Sequence, residues 1–363
     1  MKILYDNFIF DLQLAGGISK VWYNLIKRIP KNFQIEYVEG LNQKNIFRKK
    51  LEIGNSSLIF DSGKNISLRQ YKKVNNTGCD IYHSSYFRPL KGKQNSKVVV
   101  TVHDFMYEKY GKYLAKKNHL FLKNRCINQA DAIICVSHCT KNDFLKYYPD
   151  INIDIVHVVY NGVDDEFKPT LKSELLKIND VTFISNKYLL YVGNRGYCKN
   201  FDFVLNLMNS NTLRTLGYNL VCVGGGSVSK KEENFIETNG LMSKIHFINN
   251  VGSSQLNNLY NNAFCLLFPS LYEGFGIPAV EAMKVGCPVW STNSSSVLEI
   301  IGKDYPIQFS PTNWEEAIVV FEKLLDPEFR DLSIEIGYKA ATKFSWNKCA
   351  QDTFDIYKSL TEQ

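Results

Sequence analysis

The chain has 363 residues, 45% of them hydrophobic and 22% charged, a balance that suits a globular protein with room for two domain cores. No apolar run reaches membrane-spanning length, and the opening Met1-Lys2-Ile3-Leu4-Tyr5 reads as a strand, not a secretory leader. Nine scattered cysteines without a Cys-x-x-Cys pair argue against a disulfide framework, and the modest net charge of +7 comes with no nucleic-acid-binding module, so a cytoplasmic setting is expected.

In chain order, strands are expected at 2–5, 35–38, 81–83, 98–102, 132–136 and 155–159, with helices at 19–28, 113–128 and 141–147. A turn-rich stretch from Asn161-Gly162-Val163 to Pro169 marks a domain boundary. The residues 170–186 are polar and irregular and read as a loop. The alternation then resumes, with strands at 188–192, 219–223, 245–248, 265–268 and 289–291. This pattern predicts an α/β protein with two doubly wound parallel sheets, residues 1–165 and 166–345. The tail, from a serine cap at Ser345 through Trp346, Ala350, Thr353, Phe354 and Tyr357, has the spacing of an amphipathic helix over 346–363.

Charge is unevenly spread. Lys44, Arg48, Lys49, Lys50, Lys64, Arg69, Lys72 and Lys73 form one basic stretch. Lys109, Lys112, Lys116, Lys117, Lys123 and Arg125 form another, interleaved with Tyr107, Tyr110, Tyr113, Leu114 and Phe121. The plain reading of each is a solvated face; the functional one is a surface for anionic lipid head groups or a phosphorylated acceptor.

Four segments carry the chemistry. Glu273-Gly274-Phe275-Gly276-Ile277-Pro278-Ala279-Val280-Glu281 follows the apolar run 263–268, and Pro278 and Gly286 bracket a helix. Glu273 falls in the glycine-hinged loop, and Glu281 is expected in the helix's first turn. Carboxylates accept from neighbouring hydroxyl pairs, and a helix start favours anions, so a ligand that is part sugar and part phosphate fits. Gly193-Asn194-Arg195 through Lys199-Asn200 joins strand to helix, and its two cations suit a diphosphate. Gly16-Gly17 before a helix lets backbone approach a phosphate. His103-Asp104 stands at a strand end, where a histidine is more often structural than catalytic; His83 is a neighbour of undefined role. Gly224-Gly225-Gly226, at another strand end, reads as a plain loop with a border of the nucleotide as the alternative, and Asn249, Asn250 and Val251 are candidates for a base pocket.

The Glu-x7-Glu string with its Gly-Phe-Gly and Pro, flanked by Phe268-Pro269-Ser270-Leu271-Tyr272 and Ala282-Met283, resembles the signature of the retaining family 4 glycosyltransferases. The likeness extends to Gly-Gly-Ile-Ser, to Gly-x-Arg…Lys-Asn and to Asn-Gly-Val-Asp at the linker, and so spans nearly the whole chain. It implies the GT-B fold: two Rossmann-like domains facing a central cleft, with the last helix crossing back to the first. It further implies that Gly17, Arg195 and Lys199 meet the donor's phosphates and that Glu281 meets its ribose. Glu273, with the N–H groups of Phe275 and Gly276, would meet the transferred sugar, Gly274 belongs to the same donor-binding loop, and His103 would lie against that sugar. Asn7 and Lys20 depart from the histidine and arginine frequent in that family, which leaves the acceptor open.

No Asp-x-Asp element is present, so no metal and no cofactor are expected, with the cations neutralising the leaving diphosphate. The resemblance implies transfer of a hexose from GDP-mannose or a UDP-hexose to a glycan or lipid-linked acceptor, in bacterial-type polysaccharide or lipopolysaccharide assembly. It also implies peripheral contact with the inner face of the cytoplasmic membrane and no nucleic-acid partner. Three alternatives stand beside it. A sugar-nucleotide epimerase can share the fold. A non-catalytic sugar-nucleotide or lipid binder would turn nothing over. A nicotinamide dehydrogenase would need a Gly-x-Gly-x-x-Gly after the first strand, which is absent.

Overall fold

Four-residue runs such as Ala132-Ile-Ile-Cys135 and Cys265-Leu-Leu-Phe268 are buried along their whole length, as strands covered on both faces must be. The computed structural model describes residues 1–41, 43–61, 65–179 and 181–362. The chain divides into two compact units, Met1–Gly162 with Ser345–Gln363, and Val163–Phe344.

The first unit is built on a seven-stranded sheet. Its spatial order is Leu58–Phe60, Gln34–Glu39, Lys2–Asp6, Ile81–Ser84, Lys97–Val102, Ala132–Cys135 and Val156–Val158, all parallel. The helix Trp346–Thr361, capped by the Ser345 side chain, belongs to this unit. Tyr357 ties it down: its hydroxyl lies 2.5 Å from His83 Nδ1 and 3.3 Å from the Tyr5 hydroxyl, and Phe354 meets Phe33 edge to face. Gly162 is required where the linker passes this helix, because a Cβ there would collide with the Trp346 backbone.

The second unit carries six strands in the order Ile245–Ile248, Asn219–Val223, Tyr188–Val192, Cys265–Phe268, Val289–Thr292 and Gln308–Phe309. All neighbours are parallel. The order turns around between Tyr188–Val192 and Cys265–Phe268, which creates a crevice beyond the carboxyl ends of those two strands. Segment 170–186, read as a loop, instead holds an antiparallel hairpin, Leu175–Ile178 with Val181–Ile184. Its inward residues Leu176, Ile178 and Phe183 are buried, and this short alternation was hidden among polar neighbours. All nine cysteines are free thiols.

The two basic stretches are not uniformly solvated. Lys123 is fully buried and pairs with Glu108 at 2.6 Å. Arg69 is buried against Asp11 and Asp61, and Arg48 pairs with Glu39. These three cations serve the interior, while Lys64 lies outside the described residues. Asn7 is buried too, donating to Glu39 and accepting from Trp22 Nε1, so it braces the strand ends. Among the described residues, no helix is long and apolar enough to cross a membrane.

Candidate active site

The segments after Tyr188–Val192, Asn219–Val223, Cys265–Phe268 and Val289–Thr292 all emerge at the carboxyl edge of the second sheet. Lys199 comes from the first and Glu273 from the third, and they meet at the turnaround of the strand order. Lys199 Nζ lies 2.5 Å from Glu273 Oε1, with 16% and 9% of the two side chains exposed. Ser270 Oγ donates to the same carboxylate oxygen at 2.7 Å. A cation, a carboxylate and a hydroxyl thus share one crevice, and each can turn to a ligand group of opposite character.

Glu281 is the fifth residue of the helix Ile277–Val285, so it sits in the second turn and not the first. Pro278 takes the early position, and Glu281 projects inward, 4% exposed. Tyr260 donates to its Oε2 at 3.1 Å. Burial, and then the Glu281 charge, push the Tyr260 phenol far above its ordinary value, so it remains a donor. Phe275 packs edge to face on Phe344, which anchors the loop carrying Gly274 and Gly276.

Arg195 is placed differently from Lys199. Its Nε donates to Glu232 at 2.8 Å, Nη1 to the Gly224 carbonyl at 2.9 Å, and Nη2 to the Ser227 carbonyl at 2.7 Å. The guanidinium lies over Phe247 and threads the glycine loop. Gly225, at φ +82°, has no room for a Cβ because the Arg195 guanidinium fills that space. The glycine triplet read as a plain loop is therefore shaped to receive this arginine. Asn200 precedes the helix Phe201–Met208, but its side chain bonds the Pro311 carbonyl instead of capping.

In the first unit, Gly17 opens the helix Gly17–Ile26. His103 follows the strand Lys97–Val102 and lines a cavity of about 20 Å³ with His83, Thr101 and Asn161, room for about one water. Burial, then the Lys123 charge, lower His103 to about 4. The ring is neutral at pH 7. Behind it, Lys123 donates to the Asp104 carbonyl at 3.1 Å, while His119 and Lys123 both hold Glu108. Burial alone would raise the Glu108 carboxyl, but the His119 hydrogen bond and the Lys123 charge outweigh it and keep it below its usual range.

Sequence reasoning missed Ser270, Tyr260, Glu232 and Lys123 as parts of these sites. Ser229-x-x-Glu232 was visible as a helix-capping pattern, and both capping bonds form, but nothing in the string linked Glu232 to Arg195. Tyr260 and Lys123 lie inside helices with no local signal for their partners.

A doubly wound parallel sheet that brings Lys199 and Glu273 together at the turnaround of its strand order has its ligand crevice there. The Glycosyltransferase Family 4 profile matches residues 15–167, and the profile for group 1 glycosyl transferases matches residues 176–342. The chain belongs to these glycosyltransferases. An uncharacterised glycosyltransferase of Methanocaldococcus jannaschii is 28% identical over 100% of this chain and 99% of its own. An O-antigen chain mannosyltransferase of Escherichia coli is 24% identical over 81% of this chain and 76% of its own. Sucrose-phosphate synthase of Thermosynechococcus elongatus shares the fold with a TM-score of 0.74 at 16% identity, covering 99% of each chain. The architecture is GT-B, two Rossmann-like units.

Proposed function

We propose that this glycosyltransferase moves a hexose, mannose in the first instance, from a nucleoside diphosphate to a hydroxyl of a glycan or lipid-linked acceptor, with retention of anomeric configuration. The observation that carries the reading is the Lys199–Glu273–Ser270 cluster at the sheet's turnaround, one helix away from the Tyr260-bound Glu281. On binding, Lys199 exchanges Glu273 for the donor's diphosphate, and Glu273 turns to a sugar hydroxyl. Glu281, with one oxygen held by Tyr260, accepts from the ribose. Arg195 meets the diphosphate only by giving up a present partner, so Lys199 is the cation on which the proposal leans. The roles of Gly17 toward a donor phosphate and His103 toward the donor sugar are part of the same proposal. Mannose is favoured because the Escherichia coli relative is an O-antigen mannosyltransferase. Polysaccharide assembly follows from the same relative.

Charge neutralisation by lysine and arginine makes the transfer metal-independent in this reading. A membrane-facing acceptor agrees with the surface of the helix Tyr113–Ile127, where Tyr113, Leu114 and Phe121 are 68%, 79% and 53% exposed. Lys117 lies over the Tyr113 ring and Arg125 over Phe121. Tyr71 reaches Phe121 and joins the exposed Leu68 to this patch. Aromatic and aliphatic groups set among cations fit an anionic bilayer better than a glycan alone.

The test is release of nucleoside diphosphate from a panel of GDP- and UDP-sugars, with and without candidate glycans, before and after EDTA dialysis. The reading expects one donor to be turned over, faster with acceptor and undiminished by EDTA. No release from any donor, or release of an epimerised free sugar, refutes it.

A further inference from the structure

Ser295 is held at φ +49°, a backbone region unfavourable for an L side chain and freely open to glycine. It begins the helix Ser295–Ile301, just beyond the strand Val289–Thr292. Its hydroxyl accepts the Glu273 N–H at 2.9 Å. Next to it the fully buried Ser296 donates toward two carbonyls, Glu273 at 2.8 Å and Phe275 at 3.1 Å. One turn earlier, Thr292 Oγ1 and Ser294 Oγ both donate to the Ser270 carbonyl, at 2.7 and 3.0 Å. A row of four hydroxyls thus grips the backbone of the loop that presents Glu273.

The grip has a direction. Peptide units are planar and trans, so a carbonyl drawn to one side sends the next residue's N–H to the other. With the Glu273 and Phe275 carbonyls drawn to Ser296, the N–H groups of Gly274 and Gly276 point away from it. The backbone of Glu273 is held at both its N–H and its C=O, which sets the point from which its side chain leaves the loop.

We propose that Thr292, Ser294, Ser295 and Ser296 form a positioning clamp. It aims the Gly274 and Gly276 amides and the Glu273 carboxylate at the sugar of the donor, and Ser295 keeps its strained backbone because its hydroxyl completes the hold. These are positioning residues, not catalytic ones, and the inference rests on the glycosyl-transfer reading above.

Two substitutions separate strain from grip. Ser295→Gly relieves the backbone and deletes the hydroxyl; Ser295→Ala deletes the hydroxyl and keeps the strain. The first readout, hydrogen exchange of the Glu273 amide in the full chain, needs no substrate. The clamp predicts exchange about tenfold faster in both variants, the scale of one lost hydrogen bond. It also predicts a thermal midpoint unchanged or raised in Ser295→Gly and lowered in Ser295→Ala. The second readout is turnover of the donor that the wild type uses. Both variants should lose about tenfold in kcat, with the affinity for the sugar-free nucleoside diphosphate within about twofold of wild type. Unchanged amide exchange overturns the clamp. Faster exchange with wild-type kcat, or a loss confined to nucleotide affinity, overturns its positioning role. A protected amide in a wild type that turns over no sugar nucleotide overturns the functional reading and leaves the clamp standing as a structural device.

Discussion

Replacing Lys199 with methionine removes one charge from the crevice and keeps the side-chain length. At 2.5 Å and an effective dielectric near 20, the gross attraction between Lys199 and Glu273 is about 7 kcal/mol, most of it offset by lost hydration. Breaking one side of a fully buried pair costs about 3–5 kcal/mol. Here the side chains keep 16% and 9% exposure, and Ser270 still donates to Glu273, which lowers the expected loss. About 2–3 kcal/mol remains, a fall of roughly 5–10 °C in the midpoint of a unit this size. Scanning calorimetry of the single variant, of Glu273→Gln and of the double variant closes a thermodynamic cycle. The double variant should recover at least about 1 kcal/mol relative to the sum of the singles. The same Lys199→Met chain should bind nucleoside diphosphate about 10- to 100-fold more weakly, the scale of a charge-assisted hydrogen bond. Additive stabilities together with wild-type nucleotide affinity would refute the reasoning, because the pair would then be neither coupled nor part of a donor site.

Two further outcomes follow from the first unit. His83 is lowered to about 3 by burial and then by the His103 charge, and His103 to about 4 by burial and then by Lys123. Both bind protons more readily when unfolded, so stability is fullest above about pH 6.5 and declines as pH falls from there to about 4 for His103 and about 3 for His83, by about 2 kcal/mol at pH 5 for His83 alone. Urea titrations at pH 7 and pH 5 check this, and His83→Gln should flatten the difference; equal stability at both values would contradict it. Cosedimentation with vesicles containing anionic lipid should retain the wild type at low salt and lose most of Leu114→Asp, with neutral vesicles binding neither. Binding that ignores lipid charge, or that survives Leu114→Asp, speaks against the helix surface.

Much of the architecture was legible because its strands are short apolar runs separated by glycine, proline and serine caps, as at Cys265–Phe268, Pro278 and Gly286. The loop bearing Glu273 was legible for the same reason: it lies at a strand end, where side chains face a crevice by topology alone. What escaped depended on distance. Lys123 sits amid exposed lysines on one helix, and only Glu108 and the rings of Phe87 and Phe105 in the folded unit give it an interior place. Arg195 finds Glu232 thirty-seven residues on, through a glycine loop whose φ angles no composition rule supplies. Ser295 adopts a glycine-like backbone without being glycine, so the segment gave no mark of its turn. The placement of Glu281 in the second turn corrected a reading that opened the helix at Pro278, one residue after its actual start at Ile277.

The central claim is that the second unit's crevice holds a nucleoside diphosphate between Lys199 and Glu281, and titration calorimetry of the full chain with GDP, UDP and their sugars tests it most directly. The account predicts saturable one-to-one binding of one of these nucleotides. It also predicts that Glu281→Gln weakens that binding about tenfold or more, while pyrophosphate, which lacks the ribose, binds the variant and the wild type alike. Saturable nucleotide binding that Glu281→Gln and Lys199→Met both leave unchanged, or no binding of any of the nucleotides, would contradict it.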